Sequence, residues 1–98
     1  MNIKTERTDG TLIITLEGRL DTTTAPYLEA ELKQKLSGVT KLLFDFSSLE
    51  YLSSAGLLVL LSAQKRMNCQ GSMAIRNVRD EIMEFFKITG FTDILMLE

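Results

Sequence analysis

The chain has 98 residues, 45% of them hydrophobic, which fits one globular domain over residues 1–98 and is too apolar for disorder. Eleven basic residues against 13 acidic ones leave a net charge of −2 with no Lys/Arg run, so nucleic acid and anionic membrane surfaces are poor partners. There is no histidine and one cysteine, Cys69, which rules out an internal disulfide, a histidine-based nucleophile set and a His/Cys zinc site.

The first twenty residues read as a hairpin. Ile3 to Thr8 is compatible with a strand, and Asp9-Gly10 is a favoured two-residue turn. Thr11 to Glu17 then alternates, with Leu12, Ile14 and Leu16 on one face. Gly18-Arg19-Leu20-Asp21 breaks the pattern. Asp21, Thr22 and Thr23 suit a helix N-cap, and Pro26 suits a first turn. Leu28, Leu32 and Leu36 recur at i+4 spacing, so the first helix presents one apolar stripe and ends at Ser37-Gly38.

Lys41 to Phe46 is a nearly continuous apolar run, expected as a central strand covered on both faces. A short link follows, with Glu50 in it. A second helix then runs through Leu57-Leu58-Val59-Leu60-Leu61 to about Met67, opened by Ser53-Ser54-Ala55-Gly56. Cys69 falls in the loop after it, as an inert thiol. Ser72 to Arg76 reads as a fourth strand and Arg79 to Ile88 as a third helix with Ile82, Phe85 and Phe86 inward. Thr89-Gly90 stops that helix, and Asp93 to Leu97 is the last strand. The expected order is ββαβαβαβ: an α/β domain with a mixed, mostly parallel sheet of about five strands and three helices.

Catalytic raw material is thin. The commonest general base is missing, and neither G-x-G-x-x-G nor G-x-x-x-x-G-K-[ST] occurs, so no nucleotide-cradling loop and no cofactor are expected. The carboxylates Asp21, Asp45 and Glu50 read as capping and solvated loop residues. An enzyme is therefore the weakest of the readings. No apolar run reaches the ~20 residues that span a bilayer, and Met1-Asn2-Ile3-Lys4 carries no signal-peptide core. With the lone thiol, this makes the cytoplasm the expected location.

One stretch stands apart. Phe44 to Leu57 is a buried strand, a short loop, and a helix whose first turn holds two serines, an alanine and a glycine. Sites in open α/β sheets favour the region beyond the carboxyl ends of strands. Small residues at a helix start leave N–H groups and the positive end of the dipole accessible, which favours an anion such as a phosphoserine there. The same serines also serve simply as caps.

The whole chain resembles the STAS domain of bacterial anti-sigma factor antagonists. Leu16-Glu17-Gly18-Arg19-Leu20-Asp21 is similar to the family's L-x-G-x-L-D. Leu43-Phe44-Asp45-Phe46-Ser47 is similar to its hydrophobic-D-hydrophobic-S. Tyr51-Leu52-Ser53-Ser54-Ala55-Gly56-Leu57 is similar to its hydrophobic-D-S-[ST]-G-L, and Phe85-Phe86 with Thr89-Gly90-Phe91 to its late helix and G-[LF] ending. Two positions depart from the pattern: Ser53 stands where the family has aspartate, and Ala55 where it has Ser or Thr.

The resemblance implies a non-enzymatic partner switch. The unphosphorylated domain binds an anti-sigma factor that is also a serine kinase, which frees a sigma factor, and a serine phosphatase resets the switch. By position the phosphorylated serine is Ser54, with Ser53 as the fallback. The partner surface is expected at Asp21, Thr22, Asp45, Ser53, Ser54, Ala55, Gly56 and Leu57. No metal or cofactor is implied for the domain itself. The alternative is a phosphorylation-independent STAS scaffold or ligand-binding module in a larger signalling or transport complex. The family has a further helix after the last strand. This chain stops at Glu98, so a less covered sheet face open to weak homodimerisation is also expected.

Overall fold

In a computed structural model, which describes residues Met1–Glu98, the hairpin forms as β1 (Asn2–Thr8) and β2 (Thr11–Leu20), paired antiparallel with Thr8 opposite Thr11. Asp9 takes a positive φ of 55° in the turn, which a short polar side chain tolerates. Helix α1 (Ala25–Lys35) leads to β3 (Lys41–Leu52), helix α2 (Ser54–Gln70) to β4 (Ser72–Arg76), and helix α3 (Asp80–Thr89) follows. A 3₁₀ turn, Phe91–Asp93, precedes the C-terminal residues.

The sheet order is β1-β2-β3-β4, with β2–β3 and β3–β4 parallel. It is thus a mixed sheet of four strands rather than five. The expected fifth strand at Asp93–Leu97 does not form. The N–H groups of Ile94 and Leu95 turn back to the Phe91 carbonyl, so only Leu97 bridges Ile75.

All three helices cover one sheet face. Leu12, Ile14 and Leu16 of β2, Leu42, Phe44 and Phe46 of β3, and Met73 and Ile75 of β4 join Leu28, Leu32, Leu57, Leu60, Ile82 and Phe86 in a single core cluster. The other face carries one short apolar row, Ile13, Leu43 and Ala74. It is flanked by the polar rows Lys4-Thr15-Asp45-Arg76 and Thr8-Thr11-Lys41-Ser72. Cys69 is exposed on the last turn of α2 rather than in a loop, because the helix runs three residues past Met67. No helix is long and apolar enough to cross a membrane.

The strand β3 runs well beyond the apolar segment that announced it. Its partners step from Thr15↔Asp45 to Glu17↔Ser48, and from Gly18↔Leu49 to Arg19↔Tyr51. Each step leaves one extra residue on β3, so a 12-residue strand stays paired with a 10-residue one through two bulges. Leu49 and Leu52 are buried across these irregularities. The expected loop at Ser47–Leu52 is therefore strand, with Glu50 and Tyr51 near its end, leading directly into α2.

Candidate functional site

Ser53 ends β3 and caps α2. Its backbone is extended, its N–H donates to the Leu20 carbonyl at 2.9 Å, and its Oγ accepts from the Gly56 N–H at 3.4 Å. Serine is a favoured N-cap, so Ser53 can cap this helix start without an aspartate. Ser54 is the first helical residue. It is exposed, and no hydrogen bond holds its side chain. Gly56 is buried one turn on. A methyl group there would come within 2.6 Å of Leu52 Cδ1 and 2.8 Å of Leu20 Cγ, so glycine lets the helix start sit down on the ends of β2 and β3. The two serines thus have different duties: one holds the helix and the other is presented.

The cap can be tested by itself. Ser53→Ala is expected to lower stability by about 1 kcal/mol, read as a shift in urea midpoint with an unchanged m-value. No shift would remove Ser53 from the cap.

Two grooves flank this turn. The larger, about 570 Å³, lies between the start of α2 and α3. Tyr51, Leu52, Ile82 and Phe85 give it apolar walls, and Thr22, Ser53, Ser54 and Ala55 line its helix-start side. Its two charged residues are Glu50 and Glu81. The smaller, about 290 Å³, lies between α1 and α2, with Pro26, Leu58 and Glu29 along it. Thr22 and Ala55 belong to both and form a ridge between two partly apolar hollows, with Ser54 on the larger-groove side of it. Tyr51 is 41% and Leu58 65% exposed, large apolar side chains left open beside the ridge.

Thr22 is placed by its neighbour. Asp21 Oδ1 accepts from the N–H groups of Thr23 and Thr24 at 3.0 and 3.2 Å and from Thr23 Oγ1 at 2.7 Å. Arg19 Nε lies 3.7 Å from Asp21 Oδ2, and its guanidinium sits 4.2 Å from the Tyr51 ring centroid. The Asp21 turn is thereby tied to the groove wall. The Thr23 hydroxyl, then the two backbone donors, hold the Asp21 carboxyl below its ordinary 3.8.

The expected partner residues do not all converge. Thr22, Ser53, Ser54 and Ala55 line the grooves, Asp21 stands behind Thr22, and Gly56 and Leu57 are buried beneath the turn. Asp45 is elsewhere. It lies in β3 before the bulges, accepting from the Ser47 N–H at 2.9 Å and Asn77 Nδ2 at 3.1 Å, with Arg76 Nε at 3.5 Å. Burial works to raise its pKa, but these donors and the guanidinium outweigh it and leave the carboxyl below 3.8. A carboxylate lowered in this way supports the fold at neutral pH and loses that contribution as the pH falls below 3.8 through its folded value.

The groove wall on α3 is not evident in the sequence. Ile82 and Phe85 read as inward residues, and Ile82 is indeed buried in the core; Glu50 reads as a solvated loop carboxylate, and nothing singles out Glu81. Leu58 sat unnoticed in an apolar run. The helical period was the available signal: with Leu57 and Leu60 inward, Leu58 is turned about 100° away.

The architecture agrees with comparison to known proteins. The STAS domain model matches residues 2–98. The chain belongs to the STAS domain family. BtrV of Bordetella bronchiseptica, provisionally named an anti-sigma factor antagonist, is 35% identical over 96 residues, covering 96% of this chain and 83% of that protein. The anti-sigma-B factor antagonist of Bacillus subtilis is 25% identical over 96 residues, covering 97% and 88%. In fold, the STAS chain matches the anti-sigma factor antagonist SpoIIAA in its unphosphorylated form with a TM-score of 0.86 at 21% identity, over 99% of this chain and 88% of that one.

Proposed function

We propose that this STAS domain is a cytoplasmic anti-sigma factor antagonist. It binds an anti-sigma factor that is also a serine kinase, and so releases a sigma factor. Phosphorylation of Ser54 turns the binding off, and a serine phosphatase restores it. The domain catalyses nothing itself; ATP chemistry belongs to the kinase.

The observation that carries this reading is the division of labour at the helix start. Ser53 is occupied as the cap, while Ser54 is exposed with a free hydroxyl on the larger-groove side of the ridge between two apolar-walled grooves. A kinase can reach that hydroxyl. A partner seated across both grooves would cover it. A phosphate there adds about −1.5 to −2 charge at neutral pH, and covering an unpaired charge with apolar surface costs several kcal/mol. The α2 N–H groups meanwhile favour the phosphate in the free domain. One modification therefore separates a binding-competent domain from an equally folded one that does not bind.

Intact mass spectrometry after incubation with ATP and the cognate kinase tests the assignment. The wild-type chain should gain one phosphate, as should Ser53→Ala, whereas Ser54→Ala should gain none. A phosphate still added to Ser54→Ala would sink the acceptor assignment.

A further inference from the structure

We infer that the groove between the start of α2 and α3 receives a basic side chain, carried on an apolar segment of the protein partner. The inference rests on the antagonist reading above and names the chemistry of the partner's contact. Every charged residue on the two grooves is a carboxylate: Glu50 and Glu81 in the larger, Glu29 in the smaller. Glu29 is already paired with Lys33 at 3.3 Å. Glu50, from the end of β3, and Glu81, from the first turn of α3, are exposed, and the chain's ion pairs all involve other residues. Two unmatched carboxylates thus stand over walls made of Tyr51, Ile82 and Phe85.

That combination selects its occupant. The aliphatic stem of an arginine or lysine packs on apolar walls while its head stays polar, and the two carboxylates supply the countercharge. Tyr51 already accepts a guanidinium from within the chain, since Arg19 lies over its ring. An acidic peptide, a nucleic acid or an anionic lipid surface would meet the like charge of Glu50 and Glu81 here, with only the α2 helix start and Arg19, which is already paired with Asp21, to offset it.

The test is calorimetric titration of the full chain with the cognate anti-sigma factor at 50 and 500 mM NaCl. Glu50→Gln and Glu81→Gln are each expected to weaken binding several-fold at low salt, and E50Q/E81Q by roughly 10- to 100-fold. The gap to wild type should narrow at high salt, where the Debye length falls to only a few Å. Glu6→Gln, on β1 and away from the grooves, should change nothing. Thermal melts of all variants should match wild type, because both groove glutamates are exposed. If wild type binds and E50Q/E81Q binds equally well with the same salt dependence, the basic-side-chain inference is overturned and the antagonist reading stands. If wild type itself binds no anti-sigma factor, that reading fails and takes this inference with it.

Discussion

Ser54→Asp should reduce affinity for the anti-sigma factor by at least 100-fold while leaving the fold as stable as wild type or slightly more so. The two halves of that expectation have separate causes. An acidic side chain in the first turn of α2 meets free N–H groups and the positive end of the dipole, which contributes about 0.3–1 kcal/mol to the free domain. In the complex the same carboxylate sits on the larger-groove side of the ridge, in the groove that Glu50 and Glu81 also line, where a partner would strip its water. Leaving an uncompensated charge under an interface costs about 3 kcal/mol or more, and each 1.4 kcal/mol is tenfold in affinity. Ser54→Ala removes only a free hydroxyl and should stay within about threefold of wild type. Calorimetric titration beside a thermal melt separates the effects. A Ser54→Asp variant that binds like wild type would contradict the electrostatic switch. One that fails to fold would contradict the description of Ser54 as an exposed first-turn residue.

The second large effect lies beneath the site. Phe46 is fully buried, with its ring edge-on to Phe44 at 6.0 Å and near-parallel to Phe86 of α3 at 6.5 Å. It joins the sheet to the helix that supplies Glu81, Ile82 and Phe85 to the groove. Phe46→Ala should cost about 3–5 kcal/mol. A domain of this size has about 5–15 kcal/mol in total, so a large share of its stability goes. At roughly 4–8 °C per kcal/mol for a domain of this size, the melting temperature should drop by at least 12 °C. Binding should weaken as well, since α3 loses its aromatic anchor. A loss below about 1 kcal/mol would mean that Phe46 does not tie α3 to the sheet as described.

Where local chemistry and tertiary structure agree, the sequence was sufficient. Alternation of Leu12, Ile14 and Leu16 marks β2, i+4 spacing of Leu28, Leu32 and Leu36 marks α1, and Asp9-Gly10 marks the hairpin. The serine pair was legible as a helix start because an N-cap is a local device. What was hidden depends on partners distant in the chain. The two bulges in β3 move the buried positions from Phe46 to Leu49 and then Leu52, which destroys period two and makes strand look like loop. That extension carries the chain roughly 20 Å beyond Asp45 at about 3.3 Å per residue. It explains why Asp45 meets Arg76 and Asn77 rather than the serines. The C-terminal strand failed for the opposite reason: local bonds to the Phe91 carbonyl captured backbone groups that a strand would have offered to β4.

The larger groove was the least legible feature. Glu50 and Tyr51 are separated in sequence from Glu81, Ile82 and Phe85 by a helix, a strand and a turn. Only the crossover through β4 brings them together. The helix start at Ser53-Ser54-Ala55-Gly56 was found as a sequence motif, but its function as a ridge belongs to the fold.

The most direct test of the central claim is release of a labelled sigma factor from its complex with the anti-sigma factor, followed by fluorescence anisotropy as this chain is added. The account predicts that unphosphorylated wild type and Ser54→Ala both drive the anisotropy to that of free sigma factor near stoichiometric addition, while the Ser54-phosphorylated chain leaves it unchanged. An anisotropy that stays at the complex value with saturating unphosphorylated chain, or that falls equally with the phosphorylated form, would contradict it.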